Sequence, residues 1–330
     1  MTILAGDIGG TKVRLGLFET QGPTPSLVRE AVFDSASWDS LDALCVQFLS
    51  DSRVTSACFG LPGVVSDQRC ETTHLRWVID GRALAHTLGV APSRVLLLND
   101  LQATAYGVLA VDPSQCVCLQ EGTADRNANI AVIAAGTGLG ESALIAHQGQ
   151  HFAIATEGGH KSFAPRTDED VALLRFTQAR LGGENPHVSV ERIVSGPGLA
   201  WVYASMAQRE PGAESPRVRE RMAHEDPSAV IGDEAVQGRD VLCMRAARRF
   251  CELYGAEAGN LALSVLSRGG VYVAGGVSAK LAKVLELGDF CRGFSDKGRF
   301  AQTLAAMPIW LITDERLPLW GAARASALLA

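Results

Sequence analysis

The feature that most constrains this chain is a pattern that occurs twice. Residues 3–8 form a short apolar run that passes through Gly6-Asp7-Ile8 into Gly9-Gly10-Thr11, and Val13, Leu15 and Leu17 then alternate with Arg14 and Gly16. Residues 130–134 form a second such run. It enters Ala135-Gly136-Thr137-Gly138-Leu139-Gly140-Glu141, and residues 142–146 follow as another strand-like segment. Each stretch reads as a strand, a tight glycine turn and a returning strand, so the pattern predicts two versions of one hairpin. Between them, short β-branched runs alternate with amphipathic stretches, which argues for an α/β fold. At 330 residues the chain has length for two domains, each with its own core.

The rest of the chain supplies the other pieces of such a fold. Residues 54–59 and 95–98 read as buried strands ending in Gly60-Leu61-Pro62-Gly63 and Asn99-Asp100. In open α/β sheets the carboxyl ends of the strands are where ligands bind. Trp38, Leu41, Leu44, Cys45, Phe48 and Leu49 fall at helical spacing behind a capping Ser37. Asp168, Glu169 and Asp170 open a helix that closes with Arg175, Arg180 and Gly182-Gly183. A long helix over about 239–267 precedes a strand at 271–274 and the pair Gly275-Gly276. A last strand at 309–312 and an Ala-rich helix from about 318 follow. The Arg-, Glu-, Pro- and Gly-rich region 205–240 reads as surface helices and loops.

Charge and composition exclude several function classes. With 30 Lys+Arg against 36 Asp+Glu the net charge is −6, and no basic run stands out, so no nucleic-acid partner is predicted. No apolar stretch reaches the length of a membrane span, and Asp7 arrives too early for a signal peptide. No membrane partner and a cytoplasmic location are the expectation. The eight cysteines form no CxxC pair, and Cys116-Val117-Cys118 suits an alternating strand better than a zinc site. They read as reduced, buried thiols.

Glycine lets backbone N–H groups approach a phosphate with no Cβ in the way, and Thr11 and Thr137 add hydroxyls. There is no GxxxxGK[ST], and Gly136–Gly140 is followed by a strand where a Rossmann turn opens a helix. Taken singly, each cluster also fits a plain tight turn. A facing pair of hairpins can grip a triphosphate across a cleft. Asn99-Asp100 likewise fits either a helix N-cap or a carboxylate pointing into that cleft. Glu157-Gly158-Gly159-His160 can be a mere turn, and Glu191 an ordinary helix-start glutamate.

These motifs, in this order, resemble the bacterial ATP-dependent glucokinases of the sugar-kinase, actin and heat-shock ATPase superfamily. The residues that carry the resemblance are Gly6–Lys12, Leu98-Asn99-Asp100, Ala135–Gly140, Glu157-Gly158-Gly159-His160, Glu191-Arg192 with Ser195-Gly196-Pro197-Gly198, and Ala274-Gly275-Gly276. The resemblance implies two ribonuclease-H-like (actin-like ATPase) domains with a cleft between them. Residues 1–110 plus 313–330 would form the smaller and 111–312 the larger, with the C-terminal helix returning to the first. It implies ATP and Mg²⁺ as cofactors, glucose or a similar hexose as partner, and a homodimer.

Residue by residue, the resemblance makes Asp100 the base for the sugar 6-hydroxyl and assigns sugar contacts to Asn99, Asp100, Glu157, His160 and Glu191. It assigns nucleotide contacts to Gly6, Asp7, Ile8, Gly9, Gly10, Thr11, Gly136, Thr137, Gly138, Gly275 and Gly276. Asp7 is the Mg²⁺ partner, through water, because magnesium sheds its hydration shell reluctantly. Lys161-Ser162-Phe163-Ala164-Pro165 after His160 lacks the cysteine cluster of the zinc-containing branch, and only four residues precede Ala5, which argues against a repressor's helix-turn-helix. One departure stands out. The family's Thr-Asn-x-x-Trp is here Thr73-His74-Leu75-Arg76-Trp77, which predicts weaker hexose affinity or another preferred epimer. Two other readings stay open: a kinase for another hexose such as mannose or an amino sugar, and a sugar-binding regulatory paralogue without turnover.

Overall fold

The computed structural model describes the chain apart from residues 23, 73, 74, 329 and 330, so His74 lies outside the described residues. Strands β1 (Thr2–Ile8) and β2 (Lys12–Glu19) make the first hairpin, and β3 (Ser26–Asp34) extends it. Helix α1 (Leu41–Leu49) leads to β4 (Ser56–Leu61). A small antiparallel sheet follows, of β5 (Val65–Ser66), β6 (Arg69–Glu71) and β7 (Val78–Asp80). Helix α2 (Gly81–Leu88), β8 (Val95–Asn99) and α3 (Asp100–Val108) complete the first part. After β9 (Val117–Gln120), the second hairpin is β10 (Ile130–Ala135) with β11 (Leu139–His147), extended by β12 (Gln150–Ala155). Five helices come next: α4 (Asp168–Leu181), α5 (Gly196–Arg209), α6 (Pro216–His224), α7 (Pro227–Val236) and α8 (Val241–Val265). Strand β13 (Val271–Ala274) precedes α9 (Gly276–Lys280), α10 (Ala282–Leu285), α11 (Asp289–Ser295) and α12 (Ala301–Ala305). Strand β14 (Ile309–Leu311) and α13 (Leu317–Leu328) close the chain.

The five-stranded sheet has the order β3-β2-β1-β4-β8, and the six-stranded sheet β12-β11-β10-β13-β14-β9. In each, three antiparallel strands are followed by two laid parallel to the first, so the second sheet repeats the first and adds β9 at its edge. The repeat seen in the glycine hairpins therefore extends to whole sheets. The parallel strands are the most hidden, with every residue of β4 and β13 buried, as parallel strands covered on both faces require.

Three apolar clusters hold these layers. One packs α1 and α2 on the first sheet through Leu44, Leu84, Phe59 and Leu97. A larger one sets Phe250, Tyr254, Ile231 and Phe290 against the second sheet. The third lies around α3 and α13 and joins Ile3, Ala5 and Cys58 of the first sheet to Ile130, Val132 and Tyr272 of the second. Leu317 and Leu319, both buried there, contribute about 1.5–3 kcal/mol each. Helices α3 and α13 meet backbone to backbone, because a Cβ on Gly321 would lie 1.6 Å from the Ala103 carbonyl oxygen. Ser326 and Ser56 share a buried 2.8 Å hydrogen bond that ties α13 to β4. On the other side of α3, Leu101 rests directly on Gly140 of β11, with Cδ2 2.2 Å from where a Cβ would stand.

Three local expectations need correction. Helix α1 begins at Leu41, and its cap is Ser40, whose Oγ accepts from the Ala43 N–H at 3.2 Å. Ser37 instead ends a 3-10 turn capped by Asp34. Trp38 stays extended because its ring packs edge-on against Phe33 and its carbonyl accepts from Trp77 Nε1 at 3.1 Å. Region 205–240 is not merely surface, since Val218, Val230, Ile231 and Ala235 are wholly buried. Its arginines surround one buried carboxylate: Arg217, Arg221 and Arg239 all donate to Glu234 and hold its carboxyl down at about 2. The cysteines are free, but Cys118 is exposed and Cys116 and Cys291 are only half-buried. Among the described residues no helix is long and apolar enough to cross a membrane.

Candidate active site

Both hairpins turn at the same edge of their sheets, the carboxyl end of β1 and of β10. In the first, Asp7 stands opposite Arg14 on β2 and Gly60 on β4. The turn is closed by Gly9 N–H donating to the Lys12 carbonyl at 2.9 Å. Buried Ser35 braces it, donating from Oγ to the Gly9 carbonyl at 2.8 Å and from N–H to the Thr11 carbonyl at 3.1 Å. Thr11 and Lys12 are exposed. Ile8 adjoins the turn, and Gly6 lies two residues further back along β1. Gly6 admits the Phe59 ring, 2.5 Å from where a Cβ would be, and the Ile8 side chain is buried in the core. Any contact of Ile8 with a ligand is therefore through its main chain.

Strand β8 delivers the next pair. Asn99 caps α3, its Oδ1 accepting from the Leu101 N–H at 2.9 Å while Gln102 Oε1 takes the Asn99 N–H at 3.2 Å. Asn99 Nδ2 donates to the Gly63 carbonyl at 3.3 Å. Asp100 is the first residue of the helix, and its Oδ1 shares the Leu101 N–H at 2.8 Å. The cap reading of the dipeptide therefore holds for Asn99, and Asp100 stands next to it in the first turn of α3. Burial, with Glu157 adding negative charge, pushes the Asp100 carboxyl up to about 6 against the opposing Leu101 N–H. Burial and Asp100 in turn push Asp7 up to about 7, with Arg14 pulling it down. Glu157, Asp100 and Asp7 therefore form a file of carboxylates that feel one another.

The second hairpin is braced in its own way. Gly136 N–H donates to the Gly138 carbonyl at 2.9 Å, and Gly196 N–H to the Gly136 carbonyl at 2.8 Å. Buried Tyr254 accepts from the Ala135 N–H and donates to the Ile133 carbonyl, each at 3.1 Å. Gly275, at the end of β13, has φ +93°, and a Cβ there would lie 2.3 Å from the Ala135 carbonyl oxygen. Beside Gly136 and Gly276 the space is open, and Thr137 is exposed. Next to this turn lies a cavity of about 340 Å³ lined by Gly196, Leu199, Ser228, Val277, Lys280 and Leu281 among others. That size lies in the range of small-molecule pockets, roughly 300–1,000 Å³.

The loop Glu157–His160 lies flush against β11. A Cβ on Gly158 would stand 2.1 Å from Glu141 Oε2, and one on Gly159 2.0 Å from the Leu139 carbonyl oxygen. Gly159 faces backbone that cannot move aside, so only glycine fits there, and Gly158 leaves room for the Glu141 carboxylate. Glu157 and His160 project from this seat with side chains 57% and 63% exposed, His160 Nε2 being 3.8 Å from Glu157 Oε2. Glu191 ties its turn to the second hairpin through one carboxylate oxygen. Its Oε2 accepts from the Leu139 N–H at 3.0 Å, so it holds the second hairpin. Ser35, Tyr254 and the cavity residues went unassigned in the sequence because each acts across long separations with no local motif.

The Glucokinase family model matches residues 4–328. The chain belongs to the glucokinase family. A glucokinase of Nostoc sp. is 37% identical over 343 residues, covering 99% of each chain. The crystal structure of a glucokinase from an Antarctic psychrotroph superposes with a TM-score of 0.84 at 31% identity over 98% of both chains. That of the glucokinase from Balamuthia mandrillaris, in complex with glucose, has a TM-score of 0.79 at 23% identity, over 99% of this chain and 93% of that one, and shares the fold. The two repeated sheets are those of the actin-like ATPase fold of glucokinases and related sugar kinases.

Proposed function

We propose that the chain is a glucokinase that transfers the terminal phosphoryl group of ATP to the 6-hydroxyl of glucose, with Asp100 as general base. The observation that carries this reading is the Asp100 carboxylate at the carboxyl end of a parallel strand, near Asp7 and Glu157 and between two glycine hairpins. In the step, the 6-oxygen forms a bond to the terminal phosphorus, the bond from that phosphorus to the ADP oxygen breaks, and the hydroxyl proton passes to Asp100. A base raised to about 6 is still mostly ionised at pH 7 and a better proton acceptor than an ordinary aspartate.

The residues suit the groups they would hold. Glu157 and His160 present acceptors and a donor for sugar hydroxyls. The open backbone at Gly136 and Gly276 suits phosphate, and the neighbouring cavity suits the nucleoside. Asp7 and Asp100 repel one another, so a divalent cation near Asp7 relieves a charge conflict that the protein alone leaves standing. When bound, Mg²⁺ neutralises phosphate charge. No group of three or more ligating side chains for a metal occurs among the described residues, so Asp7 would hold the ion through water and phosphate oxygens. The packing of α13 on β1 and β4 supports assigning 313–330 to the smaller domain with 1–110, and 111–312 to the larger. A homodimer and a cytoplasmic location complete the reading.

The test is ADP release from Mg-ATP with a panel of hexoses, run for wild type and Asp100→Asn. Glucose-dependent turnover that falls by about 10²-fold or more in the variant is the expected result. In the wild type kcat/KM should decline tenfold per pH unit below about 6, as Asp100 takes up its proton. Turnover with mannose or an amino sugar alone would reassign the substrate. Folded protein that binds glucose without releasing ADP would make it a regulatory sugar binder.

A further inference from the structure

Behind the Glu157–His160 loop lies a charge cluster that the reaction does not use. Glu141 of β11 is 1% exposed and Glu257 of α8 is 6% exposed, and Lys161 reaches both. Lys161 Nζ is 3.0 Å from Glu141 Oε2 and 2.6 Å from Glu257 Oε1. Asn260 Nδ2 donates to the other Glu257 oxygen at 2.9 Å, whereas Glu141 Oε1 is buried without a hydrogen-bond partner among the described residues. Burial and Glu257 hold the Glu141 carboxyl above its ordinary range, and Lys161 pulls it down. One half-exposed ammonium facing two hidden carboxylates is a poor stabiliser, because the desolvation of the two carboxylates is at best matched by its attraction. The arrangement calls for another reason.

Its place in the fold supplies one. Lys161 directly follows His160, its N–H donates to the Gly158 carbonyl at 3.1 Å, and its own carbonyl accepts from the Val190 N–H at 2.9 Å. Val190 begins the turn that carries Glu191. The Glu141 carbonyl accepts from Thr156 Oγ1 at 2.8 Å, and that oxygen takes the Gly158 N–H at 3.2 Å. The loop with Glu157 and His160 and the turn with Glu191, through its main chain, and the hairpin strand β11 and helix α8, through its ammonium, therefore converge on one residue.

We propose that Lys161 is a positioning residue: its ammonium, clasped between Glu141 and Glu257, sets the Glu157–His160 loop and the Glu191 turn at the spacing that sugar binding needs. The proposal rests on the glucokinase reading above. It concerns sugar affinity rather than the chemical step, since Asp100 stands on a different helix.

The test compares Lys161→Met with the triple variant Lys161→Met/Glu141→Gln/Glu257→Gln, which removes the stranded charges as well. The proposal expects glucose KM to rise by about tenfold or more in both variants, with kcat and the KM for ATP changed by less than about threefold. It expects the triple variant to recover the melting temperature that the single variant loses, yet not the glucose KM. Glucose titrations of the intrinsic tryptophan fluorescence should show the same loss of affinity without ATP. If the triple variant regains wild-type glucose KM together with its stability, Lys161 serves only to offset buried charge and the proposal fails. Unchanged glucose KM in the single variant overturns it too. Failure of the wild type to phosphorylate any hexose would instead overturn the function reading, which keeps the two outcomes apart.

Discussion

Asp7 carries at the residue scale the tension between stability and use. Its carboxyl rises from 3.8 to about 7 in the fold because it is buried near Asp100. The native protein therefore keeps a proton that the unfolded chain gives up between about pH 4 and pH 7. Folding stability falls as pH rises through that window and is lowest above it, the reverse of a salt-bridged aspartate. Asp7→Asn should raise the melting temperature of the ligand-free protein by several degrees at pH 8, and the gain should vanish near pH 4. Mg-ATP turnover should fall by roughly tenfold or more in the same variant. A variant no more stable than wild type at pH 8 would mean that Arg14 already neutralises Asp7, and the case for a cation there would weaken.

At the scale of elements, the close seat of the sugar loop on β11 makes a sharp forecast. Gly159→Ala places a methyl group 2.0 Å from the Leu139 carbonyl oxygen, a backbone atom that cannot swing aside. The loop must lift, at a cost of about 1–3 kcal/mol in stability. Steady-state kinetics should show the glucose KM raised by roughly tenfold while the ATP KM holds, because the phosphate turns keep their own braces. An unchanged glucose KM would detach the loop from sugar binding altogether. The two hairpins, the strands β4, β8, β13 and β14 and the helices α1, α4, α8 and α13 were legible in the sequence because their signals are local: alternation in β2, glycine turns after β1 and β10, acidic residues at the start of α4. The small sheet β5–β7, the edge strands β3 and β12 and the short helices α9–α12 carry no such signal. The start of α1 was misread because Ser37 and Ser40 are equally good caps by sequence, and only the Trp38 contacts to Phe33 and Trp77 decide between them. The candidate site was legible as a set of motifs but not as a set of contacts. Glu191 bonding Leu139, Tyr254 bridging Ile133 and Ala135, and Lys161 between Glu141 and Glu257 all join residues far apart in the chain. Region 205–240 hid its core because three arginines around Glu234 give it the composition of a surface.

For the whole molecule, two sheets of one design face each other across α3 and α13, and the proposed sugar and phosphate residues come from both sides. A ligand that bridges them binds only the folded chain, so it stabilises by mass action. Glucose at a hundredfold excess over its dissociation constant should add about 2.7 kcal/mol, read as a concentration-dependent rise in melting temperature. A hexose that gives turnover but no such shift would imply that binding is completed only after ATP arrives.

The seat of Leu101 on Gly140 has a kinematic meaning. Leu101 follows the proposed base in the chain and bears on a strand of the opposite sheet. A rotation of one half against the other about such a bearing displaces each atom in proportion to its distance from the axis. Asp100, beside the axis, would travel least, and elements far from the bearing would travel most. Parting of the two sheets for product to leave would then move their outer strands while the proposed proton acceptor keeps its aim.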